Sequence, residues 1–383
     1  MRHFYFKFFF ILFLPFAMHA QTLDTLVDVG SYHMHFKIIK GEGTPILFES
    51  GADSDGTVWD HLLEKIHTVT GTTLITYDRS GFGKSEVNPM LKNDSDFGIL
   101  NGITELETGL SKLGYNKDLI LVPHSYGGFY TTLYASRHPN DVKYVVRIDA
   151  NLVAHYTDEV LQMMGAQGVP PKTPETLGSY YLGTTYPETV KLLRTIDFPA
   201  NVPVIDITSP INRGFPDFYW ALVQNAHKDF VEAQPNRVQL IAEGSGHNIH
   251  LDNPGLVINA IIKAYAHTLN ENDKKVVLEK ALDNAIVLAI AAKKTETEMK
   301  HSESDLNDWG YTFINNQEIE KALQVFKLST MLFPDSSNAF DSYGEALLLS
   351  NNKSEAIKMY EKSIELNPEN ENGKAVLLKI KQE

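Results

Sequence analysis

The sequence predicts an α/β domain built on a mostly parallel sheet, followed by an all-α domain. Three observations lead there. Short apolar runs alternate with amphipathic segments over residues 21–268. Those runs end, one after another, on glycine and polar residues of the kind that carry chemistry. Beyond residue 268 the strand-like runs stop, and an internal period of 34 residues replaces them.

The strand runs can be taken in order. Ile46-Leu47-Phe48 leads into Glu49-Ser50-Gly51, and the β-branched and aromatic run Thr73 to Tyr77 ends at Asp78. Leu119 to Val122 ends at Pro123-His124-Ser125, and Val142 to Ile148 ends at Asp149. Val202 to Ile207 ends near Ser209-Pro210, and Val238 to Ile241 at Glu243-Gly244. Continuous apolar strands spaced by helical segments imply a parallel sheet covered on both faces. Ligands of such sheets bind at the carboxyl ends of the strands. Residues 150–200 interrupt the alternation with Tyr156, Tyr180, Tyr181, Tyr186 and Pro170-Pro171. They are expected to form an inserted helical cap that shapes a pocket and excludes water.

The composition narrows the function classes. The chain has 383 residues, 43% of them hydrophobic, and a formal net charge of −14. An acidic surface repels phosphate backbones and anionic lipid, which disfavours nucleic-acid binding and membrane adsorption. There is no cysteine, which excludes disulfides, thiol catalysis and Cys-ligated zinc. No cofactor or metal is expected. The first twenty residues have the layout of an export signal. Arg2 and Lys7 precede an apolar stretch from Phe8 to Ala17, and Ala20 is a small residue suited to cleavage before Gln21. The stretch is shorter than the about 20 apolar residues a spanning helix needs; the alternative is an uncleaved anchor. The mature protein is expected to be secreted or periplasmic, without a membrane span.

Two segments carry nucleophilic chemistry. Ser125 stands after a strand and before Gly127-Gly128. A sharp strand–turn–helix there would project its hydroxyl above the sheet. The usual pattern is G-x-S-x-G, and Pro123 replaces its first glycine. His247 lies in Glu243-Gly244-Ser245-Gly246-His247, a loop after the last strand that can reach back to the serine as general base. His33, His35, His61, His67 and His250 have no comparable placement, and His124 is expected to orient the turn. The loop Tyr77 to Ser85 ends in Gly83-Lys84-Ser85. It is not a phosphate loop, because Asp78 occupies the position of the required first glycine. Asp78 and Arg79 are expected to fix that loop beside the site.

The segments Phe48 to Gly51, Tyr77 to Ser85, Val122 to Gly128, Ile148-Asp149-Ala150 and Glu243 to Pro254 resemble the α/β-hydrolase superfamily in order and spacing, over residues 30–268. They are most similar to its ester-hydrolase-like branch. The resemblance implies oxyanion donors at the backbone N–H groups of Ala52 and Tyr126. It implies a triad acid at the end of one of two strands. Asp149 is favoured, with Asp206 and Asp217 as alternatives.

The C-terminal region resembles tetratricopeptide repeats. Gly310, Ala322, Phe326 and Pro334 recur 34 positions later as Gly344, Ala356, Tyr360 and Pro368. Two units are placed near 303–336 and 337–370 within a helical domain spanning 269–383. A helix from about 273 to 300 and the tail from 371 would cap them.

The expected function is a serine hydrolase acting on a small ester, thioester or amide through Ser125, His247 and Asp149. The alternatives are an aminopeptidase or lactonase on the same triad, or an inactive hydrolase scaffold whose repeats bind a protein or peptide. Haloalkane dehalogenase or epoxide hydrolase chemistry is disfavoured, because those relatives carry Asp where this chain has Ser125.

Overall fold

The structure is a computed structural model that describes residues 21–166, 168–281 and 302–382. The expected export segment, residues 1–20, lies outside the described residues, as does the expected capping helix from residue 282 onward.

Eight strands form one sheet: β1 (Thr22–Asp28), β2 (His33–Ile39), β3 (Ile46–Glu49), β4 (Leu74–Tyr77), β5 (Leu119–Pro123), β6 (Val142–Ile148), β7 (Val204–Thr208) and β8 (Arg237–Ile241). Their spatial order is β1-β2-β4-β3-β5-β6-β7-β8. β3 pairs in parallel with β4 and β5, and the strands from β5 to β8 continue in parallel. β1 and β2 form an antiparallel hairpin, and β2 joins β4 antiparallel. The exposures along β1 alternate between outward and inward residues, the pattern of an edge strand with one solvated face. The series of apolar runs in the sequence begins only at Ile46, because the polar residues His33, His35 and Lys37 alternate with the apolar residues of β2.

Side chains alternate across the sheet with period two. Leu47, Ile75, Leu121, Val145 and Val204 enter one core layer with α2 (Ile99–Leu113), α3 (Gly127–Arg137) and α6 (Asp217–Glu232). Phe48, Leu74, Ile120, Val146 and Ile205 enter the other, with α1 (Asp60–Thr70) and α8 (Pro254–His267). Burial on both faces is why these strands read as continuous apolar runs. Between β6 and β7 lie α4 (Asp158–Gly165) and α5 (Leu177–Leu193), which cover the carboxyl edge of the sheet. The short α7 (Ile249–Asp252) precedes α8.

Residues 271–281 are helical. Five helices follow: α9 (Glu303–Asn315), α10 (Ile319–Leu332), α11 (Ser337–Leu349), α12 (Lys353–Leu366) and α13 (Glu371–Gln382). Each packs against the next. The 34-residue period has a steric origin. A Cβ on Gly310 would lie 2.2 Å from the Phe326 ring, and one on Gly344 would lie 2.9 Å from the Tyr360 ring. Each glycine thus lets the aromatic residue of the following helix sit against its backbone. The period extends to the start of each unit, where Ser302 and Ser336 cap α9 and α11 by accepting from Asp305 N–H and Ala339 N–H. It also joins the units, since the Tyr311 hydroxyl donates to Glu345 at 2.8 Å.

Candidate active site

The turn after β5 is built around Ser125. Pro123 is the last residue of the strand, so the chain turns directly from it through His124 into α3. Ser125 has φ 51°, a left-handed conformation that L-residues rarely hold. Such a residue costs about 1–3 kcal/mol and persists only where its surroundings fix it. Here the Asn151 N–H donates to the Ser125 carbonyl at 2.7 Å, and the Gly128 N–H to the same oxygen at 3.0 Å. The two glycines are required by close approach. A Cβ on Gly127 would stand 2.6 Å from the Glu49 carbonyl oxygen, and one on Gly128 would stand 2.5 Å from that of Asn151.

The three residues favoured from sequence converge. His247 Nδ1 lies 2.6 Å from Asp149 Oδ2, and His247 Nε2 lies 2.9 Å from Ser125 Oγ. A carboxylate only accepts, so Nδ1 carries the proton. Nε2 then presents its lone pair to the serine hydroxyl. Asp149 follows the end of β6 with φ 42°, and the Ser209 N–H donates to its Oδ1 at 3.2 Å. Arg213 Nη2 stands 3.8 Å from Oδ2. Burial alone would raise the Asp149 carboxyl, but the His247 hydrogen bond and charge, with Arg213 and Ser209, hold it below its ordinary value.

The alternative acids have other partners. Asp206 is fully buried in β7, where Arg147 Nε donates to Oδ1 at 3.2 Å and His227 Nδ1 to Oδ2 at 2.7 Å. Asp217 begins α6 and is exposed.

Ala52 and Tyr126 both border the cavity at Ser125. The loop that carries Ala52 is held by Arg79. Its Nη1 donates to Glu49 Oε1 at 3.0 Å and to the Ser50 carbonyl at 2.9 Å, and its Nη2 donates to the Gly51 carbonyl. The Tyr77 hydroxyl donates to the other Glu49 oxygen. Burial pushes the Glu49 carboxyl up to about 7, in opposition to Arg79 and Tyr77. Arg79 also stacks its guanidinium 5.5 Å from the Tyr126 ring centre, which ties the Ser50–Ala52 loop to the residue after the serine. Asp78 closes its own loop, accepting from the Gly56 and Lys84 N–H groups at 2.9 and 2.8 Å.

Sequence reasoning left His124 with a general orienting role, and the geometry makes that role specific. Its Nε2 donates to the His247 carbonyl at 3.0 Å, so it ties the histidine loop to the serine turn. Burial, then the charges of His247 and His250, hold the His124 imidazole well below its usual range, so it is neutral. His250 supports the same array, with its ring centre 4.6 Å from that of His124. The cavity above Ser125 has a volume of about 470 Å³. His155, Tyr156 and Tyr186 of the cap region and Arg213, Tyr219 and His227 of the α6 region border it. No local motif marks them, because they converge from separate segments. Among the described residues, no group of three or more His, Asp or Glu could hold a metal, and no helix is long and apolar enough to cross a membrane.

A strained serine after the central strand, facing a histidine from the last sheet loop, on this sheet order, defines a class. A family model described as the alpha/beta hydrolase fold matches residues 44–177. The first domain has the α/β-hydrolase fold. Among relatives, the uncharacterized protein YqjL of Bacillus subtilis is 27% identical over 253 residues, 64% of this chain and 92% of its own. A (lyso)-N-acylphosphatidylethanolamine lipase of Bos taurus is 31% identical over 106 residues, 28% of this chain and 30% of its own length. The chain thus spans under a third of that lipase. Among solved structures, an esterase of Exiguobacterium antarcticum superposes with a TM-score of 0.48 at 15% identity, over 63% of this chain and 99% of its own. An esterase of Thermogutta terrifontis gives 0.45 at 17%, over 63% and 97%.

Proposed function

We propose that the protein is a serine hydrolase that cleaves a small ester, thioester or amide, with Ser125 as nucleophile. The observation that carries this reading is the continuous chain of contacts Ser125 Oγ–His247 Nε2–His247 Nδ1–Asp149 Oδ2, at 2.9 and 2.6 Å. In the reaction, Ser125 Oγ attacks the scissile carbonyl while His247 Nε2 takes its proton. Asp149 holds the neutral tautomer and then stabilises the imidazolium. The carbonyl oxygen, now an oxyanion, is held by the N–H groups of Ala52 and Tyr126. Collapse expels the leaving group, which receives the proton from His247. Water, deprotonated by the same imidazole, then releases the acyl group and regenerates Ser125.

Export is supported by the n-region, apolar stretch and small residue of positions 1–20. A tetratricopeptide-like C-terminal module, able to hold a peptide or protein partner, is supported by the glycine–aromatic contacts that recur at 34 residues.

Labelling with a fluorophosphonate tests the nucleophile. Wild type should form one covalent adduct on Ser125, and Ser125→Ala should form none. Equal labelling of the two would overturn the reading.

A further inference from the structure

Arg147 lies near the end of β6 and is fully buried. Two residues after Val145, it points into the layer that holds α3 and α6. There its guanidinium stands over the Phe230 ring, 5.1 Å from the centre, and its Nε donates to Asp206 Oδ1 at 3.2 Å. An apolar pair at these two strand positions would fill the layer without taking charges out of water, and such replacements are often neutral or stabilising. The ion pair therefore does not by itself account for a guanidinium here. The other contacts do. Nη2 reaches past the strand end and donates to the Ala150 carbonyl at 2.8 Å and to the Asn151 carbonyl at 2.9 Å.

The Ala150 carbonyl and the Asn151 N–H belong to one planar trans peptide unit, so they point in opposite directions. Arg147 holds the oxygen end of that unit. At the other end the Asn151 N–H donates to the Ser125 carbonyl at 2.7 Å. The Ser125 N–H in turn donates to the Ile148 carbonyl at 3.4 Å, so the serine is bracketed by the backbone on both sides of Asp149. The packing leaves little slack. A Cβ on Gly128 would stand 2.8 Å from the Asn151 nitrogen. Ser125 at φ 51° and Asp149 at φ 42° both hold left-handed conformations, which persist only where the surroundings fix them. Arg147 does not border the cavity above Ser125, so it acts on the site through this peptide and not by touching a ligand.

We infer that Arg147 is a positioning residue for the nucleophile. Through the Ala150–Asn151 peptide it fixes the backbone of Ser125, and with it the direction of the hydroxyl toward His247 Nε2. Its effect falls on the chemical step and not on substrate binding. Asp206 anchors the guanidinium at Nε alone, and an amide oxygen in its place would still accept that bond. This inference rests on the serine-hydrolase reading above.

The experiment measures 4-nitrophenyl butyrate hydrolysis and fluorophosphonate labelling of Ser125 on the purified full chain, each corrected for the folded fraction read by urea unfolding. Arg147→Lys keeps a cation beside Asp206, but a point charge does not reproduce the fork that serves two carbonyls and a carboxylate. It should lower kcat and the labelling rate by about 10²-fold and leave KM within about threefold of wild type. Asp206→Asn loosens the same buried cluster but leaves the Nη2 contacts in place, so both rates per folded molecule should stay within about threefold of wild type. Should Arg147→Lys not fold, Arg147→Met combined with Asp206→Leu removes both charges together and should show the same loss of rate in a folded protein. Labelling does not depend on the choice of ester, so it decides the inference even where butyrate is a poor substrate. Wild-type labelling in a folded Arg147 variant overturns the inference and leaves the hydrolase reading standing. A raised KM with unchanged kcat overturns it as well, as do equal rate losses in Arg147→Lys and Asp206→Asn, which would reduce Arg147 to packing. Absence of both labelling and turnover in wild type overturns the hydrolase reading and the inference with it.

Discussion

Two aspartate–histidine pairs stand on neighbouring strands, and their fates differ. Asp149 follows the last residue of β6, bends to φ 42°, and meets His247 from a different loop. Asp206 lies inside β7, opposite Arg147 in register, and meets His227 from α6. Both carboxylates are buried and both bind an Nδ1 proton at 2.6 to 2.7 Å. The first imidazole presents its second nitrogen to a strained serine. The second pair is locked by a fully buried guanidinium and serves packing. Only the Asp–His pair at a strand end is aimed at a serine. The pair set inside a strand is a structural tie.

That contrast can be broken at several points. Ser125→Ala removes the nucleophile and should lower kcat by about 10⁴-fold or more, read by ester hydrolysis on the purified protein. Asp149→Asn should lower it by about 10⁴-fold, because the amide favours the wrong imidazole tautomer, with little change in the melting temperature. Asp206→Asn should do the reverse. It leaves Arg147 buried without its counter-charge, so urea unfolding should show a loss of about 3–5 kcal/mol. The rate per folded molecule should stay near wild type.

Acid titration sharpens the difference further. The folded Asp149 carboxyl lies below its ordinary value of 3.8. Its contribution to stability is therefore complete above that value and is lost only as pH falls through the lower, folded one. Any loss of kcat/KM between pH 7 and 5 should then come from another group, and the Asp149 carboxylate should stay ionised throughout. The smallest effect is expected in the repeats. Gly310→Val places side-chain atoms into the Phe326 ring and should destabilise the C-terminal helices by about 1–3 kcal/mol without changing ester hydrolysis.

The parts of the site legible in sequence were the local ones. Ser125 could be read because a strand end, a serine and two glycines lie within six positions, and His247 because a glycine loop follows the last apolar run. The choice among Asp149, Asp206 and Asp217 depended on where β6 and β7 end, which composition does not fix to the residue. A signal against Asp206 was present. Arg147 and Asp206 are charged residues inside two apolar runs, the mark of a buried compensating pair. The β1–β2 hairpin was hidden by its polar outward residues, and the cavity wall of His155, His227 and Arg213 by its assembly from three distant segments. The 34-residue period was legible because the glycine–aromatic contact recurs at a fixed spacing.

The most direct measurement is the rate of fluorophosphonate labelling at Ser125 in wild type, Asp149→Asn and Asp206→Asn, each corrected for its folded fraction. The account predicts slowing by at least about 10²-fold in Asp149→Asn, where the base loses its orienting carboxylate, and a rate within about threefold of wild type in Asp206→Asn. Slow labelling in Asp206→Asn alongside a wild-type rate in Asp149→Asn would contradict it.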